Sequence, residues 1–358
     1  MAYTTIDNPE LYFQTKLYTG TGSSNSVTLD GSEDMQPDWV WIKVRSNSTH
    51  GHNLYDSVRG VNKPLQSDST SAEGNDASGG NTSLNSFDSD GFTLGGFYNK
   101  VNQSGQTFVA WNWKAGTTSG ISGSPSITPS GYSLSQTAGF SIIAYTGNAS
   151  VGATIPHGLG VAPAVIIFKR REASSEKWST YHHKAAASSP EDVHLELNDT
   201  TATSNDDSIL NDTAPSSTLI TMKTSSSVNS NSITYVAYCF SEIKGYSSHG
   251  SYTGNGSADG AFVYTGFRPA WVMIKRTDST GQWFMHDNKR VTFNVDNKYL
   301  AANDSAVEQT FTALDMLSNG FKLRTSGTGY NASGGSYVYL AFAESPFVNS
   351  SSVPNNAR

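Results

Sequence analysis

Phe108-Val109-Ala110-Trp111-Asn112-Trp113 decides the fold. In a strand, successive side chains point to opposite faces, so Val109, Trp111 and Trp113 share one side and Phe108 and Ala110 the other. The pattern returns as Tyr235-Val236-Ala237-Tyr238-Cys239-Phe240 and as Tyr337-Val338-Tyr339-Leu340-Ala341-Phe342. Both faces carry apolar side chains in every case. Such a strand is covered on both sides, either inside a sandwich or against a neighbouring copy or subunit.

Working outward, each of these strands closes a longer repeat. Each is preceded at six positions by an Asn: Asn102, Asn229 and Asn331. Further upstream lies a Pro followed by an apolar run and a Lys: Pro37 to Lys43, Pro163 to Lys169, and Pro269 to Lys275. Each copy opens on Tyr-Thr-Gly, at Tyr18, Tyr145 and Tyr252. From Tyr to Pro the spacings are 19, 18 and 17 residues, and from Pro to the strand aromatic 71, 72 and 68. Chance does not keep three anchors in register over such distances.

The expected organisation is a docking arm at 1–16, copies at 17–113, 140–240 and 251–347, a Gly/Ser/Thr/Pro-rich linker or loosely held strand at 114–139 and a tail at 348–358. Period-two alternation dominates, and Ser89-Asp90-Gly91 and Ser318-Asn319-Gly320 predict hairpin turns centred on Asp-Gly and Asn-Gly. Ala302 to Leu317 is the one stretch that reads as a short helix. The fold class is therefore all-β: three tandem related antiparallel β-sandwich units, jelly-roll-like. An outer apolar face on each unit predicts oligomerisation, with copies of the chain stacked against one another.

Composition narrows the function. Lys plus Arg is 23 and Asp plus Glu is 30, a net charge of −7 with no basic cluster, which argues against nucleic acid as partner. No apolar run approaches the ~18 residues of a membrane span, and the start lacks the basic and apolar regions of a signal peptide. Seven Trp, 17 Tyr and 16 Phe imply a packed core. The single Cys239 reads as a small core residue that forms no internal disulfide, consistent with a chain made in a bacterial cytoplasm.

No nucleophile elbow, zinc-protease motif or phosphate-binding loop occurs, so the chain reads as a non-enzyme with no cofactor and no metal site. Asp88 to Gly91 and Asn255 to Gly260 are oxygen-rich but read as polar turns. His50, His52, His182 and His183 read as surface histidines. Lys43, Lys169 and Lys275 read as structural, with the stem along the sheet and the amine at its rim. Glu242 and Glu344, at matching places after their strands, read as structural acids. The candidates for ligand contact are His52 and Tyr55, in one loop-like stretch, and Tyr330 and Asn331, in another.

Several strings resemble a known family. They are Leu17-Tyr18-Thr19-Gly20, Met35 to Lys43, Phe108 to Lys114, Gly250 to Gly256, Gly266 to Trp271 and Leu317 to Arg324. Together they are similar to structural proteins, labelled tail fibre or host attachment, of tailed bacteriophages and notably marine ones. The resemblance spans nearly the whole chain. It implies a virion protein, with a tail fibre that binds a host cell-surface glycan as the leading role. It further implies a trimer, as tail fibres commonly are, and contacts to other virion proteins through the N-terminal region. The alternatives are an architectural capsid or tail decoration protein and, last, a glycan-degrading enzyme.

Overall fold

The computed structural model describes residues 3–76, 82–96, 99–172 and 175–356. The outermost residues of both expected tails, 1–2 and 357–358, lie outside the described residues. The chain is nearly all β, and every strand pairing is antiparallel.

Strands Phe13–Thr19 (β1), Asn25–Val27 (β2), Trp39–Val44 (β3), Asn53–Asp56 (β4), Leu84–Asp88 (β5), Gly91–Leu94 (β6) and Thr107–Trp113 (β7) form two sheets. Their orders are β1-β7-β3-β4 and β2-β6-β5. The middle third contributes Gly131–Ser135 (β8), Phe140–Thr146 (β9), Ala153–Pro156 (β10), Val165–Arg170 (β11), Ser179–His182 (β12), Val193–Glu196 (β13), Ser204–Asn205 (β14), Leu219–Met222 (β15) and Thr234–Phe240 (β16). These pair as β8-β9-β16-β11-β12-β13-β14 and as β10-β15. The last third holds Ser247–Ser248 (β17), Ser251–Thr253 (β18), Phe262–Tyr264 (β19), Phe267–Arg276 (β20), Trp283–Asp287 (β21), Asp296–Ala301 (β22), Gln309–Leu317 (β23), Gly320–Leu323 (β24) and Ser336–Pro346 (β25). Here one continuous sheet runs β25-β20-β21-β22-β23-β24-β19, with β17 and β18 on the outer side of β25. The central order is the same in each third: β1-β7-β3-β4, β9-β16-β11-β12 and β18-β25-β20-β21.

The two-faced strands sit at the middle of these sheets. Phe108 and Ala110 of β7 pack with Val40, Ile42, Phe92 and Leu94 in a core between the first two sheets. Tyr235, Ala237 and Cys239 do the same with Ile143, Ile166 and Ile220, and Tyr337, Tyr339 and Ala341 with Val272, Ile274 and Phe321. The opposite faces meet in one further core. Val109, Trp111 and Trp113, Val236, Tyr238 and Phe240, and Val338, Leu340 and Phe342 all belong to it. Within it Trp39 stacks on Tyr238 at 4.6 Å between ring centroids, Phe240 meets Phe342 at 5.8 Å, and Trp113 meets Phe342 at 5.6 Å. Burying a large apolar side chain contributes ~1.5–3 kcal/mol, so this shared core is a principal source of stability. The face that the sequence pattern assigns to other copies of the chain is thus covered by other thirds of the same chain.

Three expectations need correction and one alternative is decided. At 114–139 the strand reading holds for Gly131 to Ser135: β8 pairs along β9 from Gly131↔Ala144 to Ser135↔Phe140, and Thr117 bridges Leu134. Ala302 to Leu317 is no helix, because β23 is hydrogen-bonded on both sides, to β22 and β24. The arm at 1–16 docks on its own chain. Phe13 to Lys16 belong to β1, the Tyr3 hydroxyl donates to the Gly266 carbonyl at 2.9 Å, Ile6 enters the shared core, and Asp7 accepts from the Ser350 amide at 2.6 Å. Both hairpins form, but their centres are Ser89-Asp90 and Ser318-Asn319, one residue early. The glycines answer a close approach, since a Cβ at Gly91 or Gly320 would stand 2.1 or 2.0 Å from the carbonyl oxygen of Val27 or Val263, and Gly91 also takes a positive φ of 110°.

Candidate functional site

The three repeated anchors converge on one structural clip. Tyr18, Tyr145 and Tyr252 stack on Phe108, Tyr235 and Tyr337, with centroids 5.0, 5.3 and 4.9 Å apart. Each Tyr hydroxyl donates to the carbonyl before the anchor Asn: Val101 at 2.7 Å, Val228 at 2.8 Å and Tyr330 at 2.7 Å. The Asn side chains then sew the Tyr-Thr-Gly loop down. Asn102, Asn229 and Asn331 accept from the backbone N–H of Thr21, Asn148 and Asn255. The glycines give room for this, since a Cβ at Gly20, Gly147 or Gly254 would lie 2.2, 2.4 or 2.3 Å from a backbone oxygen of the facing loop.

All four candidate contact residues are therefore interior. Asn331 is buried, its amide donating to the carbonyls of Ser257 and Thr325 at 2.8 Å each. Tyr330 is buried, stacks on Phe284 at 4.2 Å and shares a 2.9 Å hydrogen bond with His286 Nε2. Tyr55 lies fully inside the core of the first two sheets. His52 accepts from Trp41 Nε1 at 2.8 Å and donates from Nε2 to Ala301 O at 2.9 Å. Burial drives its imidazole pKa well below the ordinary value. Loop-like composition suggested exposure in each case, but side-chain clips hold these loops inside. His182 is likewise fully buried rather than on the surface.

What joins the thirds is a second repeated device. Lys43, Lys169 and Lys275 are buried, not at a rim. Lys43 Nζ donates to His50 O and, in the last third, to Ser305 O, both at 3.1 Å. Lys169 donates to Glu176 O at 2.7 Å and, in the first third, to Thr70 O at 3.0 Å. Lys275 donates to Gly281 O at 2.8 Å and, in the middle third, to Thr200 O at 2.9 Å. Burial lowers the pKa of all three amines to about 8. A backbone bond accompanies each: Glu308 N–H to Arg45 O, Glu73 N–H to Arg171 O, and Thr203 N–H to Thr277 O. The three junctions thus close a ring. The shared lysine position was the sequence signal for them; its partners, 75 to 262 residues away, carried none.

Two junctions also hold buried ion networks. Asp56 pairs with Arg59 at 2.5 Å and accepts the Tyr238 hydroxyl at 2.7 Å, while Glu73 bridges Arg59 and Arg171 at 2.9 and 2.8 Å. Asp287 pairs with Arg290 at 2.5 Å and accepts from Trp111 Nε1 at 3.0 Å, while Glu308 meets Arg45 at 2.8 Å. Burial would raise the Asp287 pKa, but the Arg290 guanidinium holds it below its ordinary value. At the third junction His182 stands where Asp56 and Asp287 stand, paired with Val165 as those are with Trp39 and Trp271. Its Nε2 reaches Tyr339 O at 3.2 Å, and its Nδ1 accepts the Lys184 N–H at 3.1 Å. His183 Nε2 donates to His249 O at 2.6 Å. Burial lowers the His182 pKa to about 3 and that of His249 well below the ordinary value.

This third junction is also where the surface opens. A groove of about 510 Å³ lies between residues 183–190 and β18, floored by Thr277, Ser336 and Tyr337. At the matching place between the last and first thirds, beside Asn288 and Lys289, only about 20 Å³ remains. Between the first and middle thirds, β8 covers the edge of β9 and a cleft of about 450 Å³ lies outside it. Ala144, under β8, is buried, whereas Ser251, at the corresponding place on β18, is exposed. The open groove offers hydroxyls, backbone groups, one imidazole and one ammonium. Its size falls within the ~300–1,000 Å³ of small-ligand sites.

Among the described residues no group of three or more His, Cys, Asp and Glu side chains is placed to hold a metal ion. Among the same residues no helix is long and apolar enough to cross a membrane. Neither a curated protein nor a solved structure matches the chain. One family model does, over residues 8–346, and the chain belongs to that family, a domain of unknown function (DUF7483).

Proposed function

We propose that this protein is a structural component of a tailed-phage virion, a tail fibre or host-attachment protein that recognises a host surface glycan. In this reading it is built from three related antiparallel β-sandwich copies of jelly-roll-like order, and its work is binding, not chemistry. The observation that carries the reading is the open groove between residues 183–190 and β18. Saccharides are held by dense hydrogen bonding to neutral groups, and Ser251, Thr253, Thr277 and Ser336 bring such groups together. The common strand order and the matching lysine bonds support the triplicate. A ring-closed body with a shared core also suits a particle that must persist outside a cell without disulfides; the one thiol, Cys239, is buried and pushed up to about 12 by that burial.

A glycan array probed with the full chain, together with competition for phage adsorption to whole cells, tests the reading. Binding on the array and slower adsorption in the presence of the protein are expected. Absence of both discards the attachment role. A virion protein gel showing a copy number far above that of a fibre would move the protein to the decoration class.

A further inference from the structure

We infer that the ligand of the open groove is an anionic saccharide, one that carries a carboxylate or phosphate, and that Lys184 receives its charge. The inference rests on the glycan reading above and narrows it to a chemical class.

The first ground is a contrast in lining. Four other clefts each include a carboxylate: Glu10 and Glu344 in one, Asp38 in a second, Glu196 in a third and Asp304 in a fourth, with a lysine beside it in the first three. The open groove carries Lys184 and His183 with no carboxylate in its lining. In a chain of net charge −7 that lining is the contrast. Lys184 is exposed at its rim and forms no salt bridge among the described residues. A cation left unpaired beside neutral donors favours an oxyanion.

The second ground is that the groove is built, not merely open. The Lys184 backbone is fixed by its N–H bond to the buried His182, and the next turn by His183 on His249 O. On the opposite wall, Gly254 N–H is bonded to Gly335 O, just before β25, and Gly250 O to Tyr339 N–H within it. Alternation along an antiparallel ladder then turns both the N–H and the C=O groups of Ser251 and Thr253 away from β25. This wall thus offers backbone donors and acceptors to the hydroxyls of a saccharide, and the charge preference comes from Lys184 and the carboxylate-free lining.

The test titrates the full chain with three oligomers of equal length: a galacturonate, a glycerol phosphate and a neutral maltose series. One or both anionic oligomers are expected to bind, with an affinity that falls as salt rises. Lys184→Met weakens that binding by about tenfold or more and flattens the salt dependence, while Lys184→Arg restores it to within a few-fold. Thermal melts of both variants verify that they fold. Neutral oligomers bound as tightly as anionic ones, or unchanged binding by Lys184→Met, overturns the inference and leaves the glycan reading standing. If none of the three binds and the array is blank, the glycan reading itself falls.

Discussion

Where β4 faces β16, the Asp56 carboxylate holds Arg59 and takes the Tyr238 hydroxyl; where β12 faces β25, His182 meets a backbone carbonyl and Leu340 stands in the place of Tyr238. The substitutions go together. A carboxylate in the interior needs a guanidinium and a donor from the opposite strand, and it has both. Remove the acid, and the donor is surplus, so an aliphatic side chain fills the space. The first arrangement locks two thirds of the chain through charge. The second leaves that edge to neutral imidazoles and packing; its groove of about 510 Å³ runs along the uncovered β18, whereas the cleft of about 450 Å³ at the charged junction lies outside β8.

The sharpest way to break this comparison is Arg59→Met, which strands Asp56 and leaves Glu73 with Arg171 alone. A loss of ~3–5 kcal/mol in urea unfolding is expected; a loss below 1 kcal/mol would mean that the network is ornamental. Acid presses hardest on the other junction, where two buried imidazoles stand against the single His52 that meets Ala301 O between the first and last thirds. His182 and His249 are held neutral by burial, so between their ordinary pKa near 6.5 and the depressed folded values the unfolded chain binds more protons. Stability must then fall as pH drops through that window, by roughly 2 kcal/mol per histidine at pH 5. Hydrogen exchange should show the amides of β17 and β18 opening before those of β3 and β7. Simultaneous opening would refute a junction-specific weakness.

Smaller effects sharpen the picture. Tyr238→Phe removes one donor to a buried carboxylate and should cost about 1.5 kcal/mol. The lysines, common to all three junctions, give an alkaline signature. Their folded pKa of about 8 lies below the ordinary 10.5, so stability rises with pH above 8. Above pH 10 the buried tyrosines, whose pKa burial raises, act in the opposite direction. Lys169→Met should reduce the slope between pH 8 and 10 by ~1.4 kcal/mol per pH unit; an unchanged slope would place the amine in water. Leu340→Met should be the mildest, under ~1.5 kcal/mol.

The local alternation was readable: Trp111 and Phe108 lie in different cores, as their spacing requires. So were the positions of both hairpins. What eluded a reading of residues one after another was anything fixed from a distance. Gly131 to Ser135 reads as linker or loose strand because it is short and polar, and β9 decides for the strand. Tyr330 and Asn331 sit among glycines and serines, which suggested exposure; the Tyr252 hydroxyl and Asn255 backbone, some 76 to 78 residues away, draw them in. The groove was hidden for the same reason. Lys184 and Ser251 belong to different thirds, and their only local mark is polarity at the flank of an anchor and after a histidine pair.

The closed ring has a consequence for synthesis. Lys43 is completed by Ser305, and Trp113 by Phe342, so the first third leaves the ribosome long before its last neighbours exist. At ~5–20 residues per second the delay is roughly 13–50 s. Throughout it Trp111 and Trp113 lack Asp287, Trp271 and Phe342, and a chain interrupted near residue 240 would never gain them, although Trp39 would already have Phe140, Tyr238 and Phe240. Chains truncated before the last third are therefore expected to be less soluble than the full chain, which expression of a 1–240 fragment beside the full chain would check.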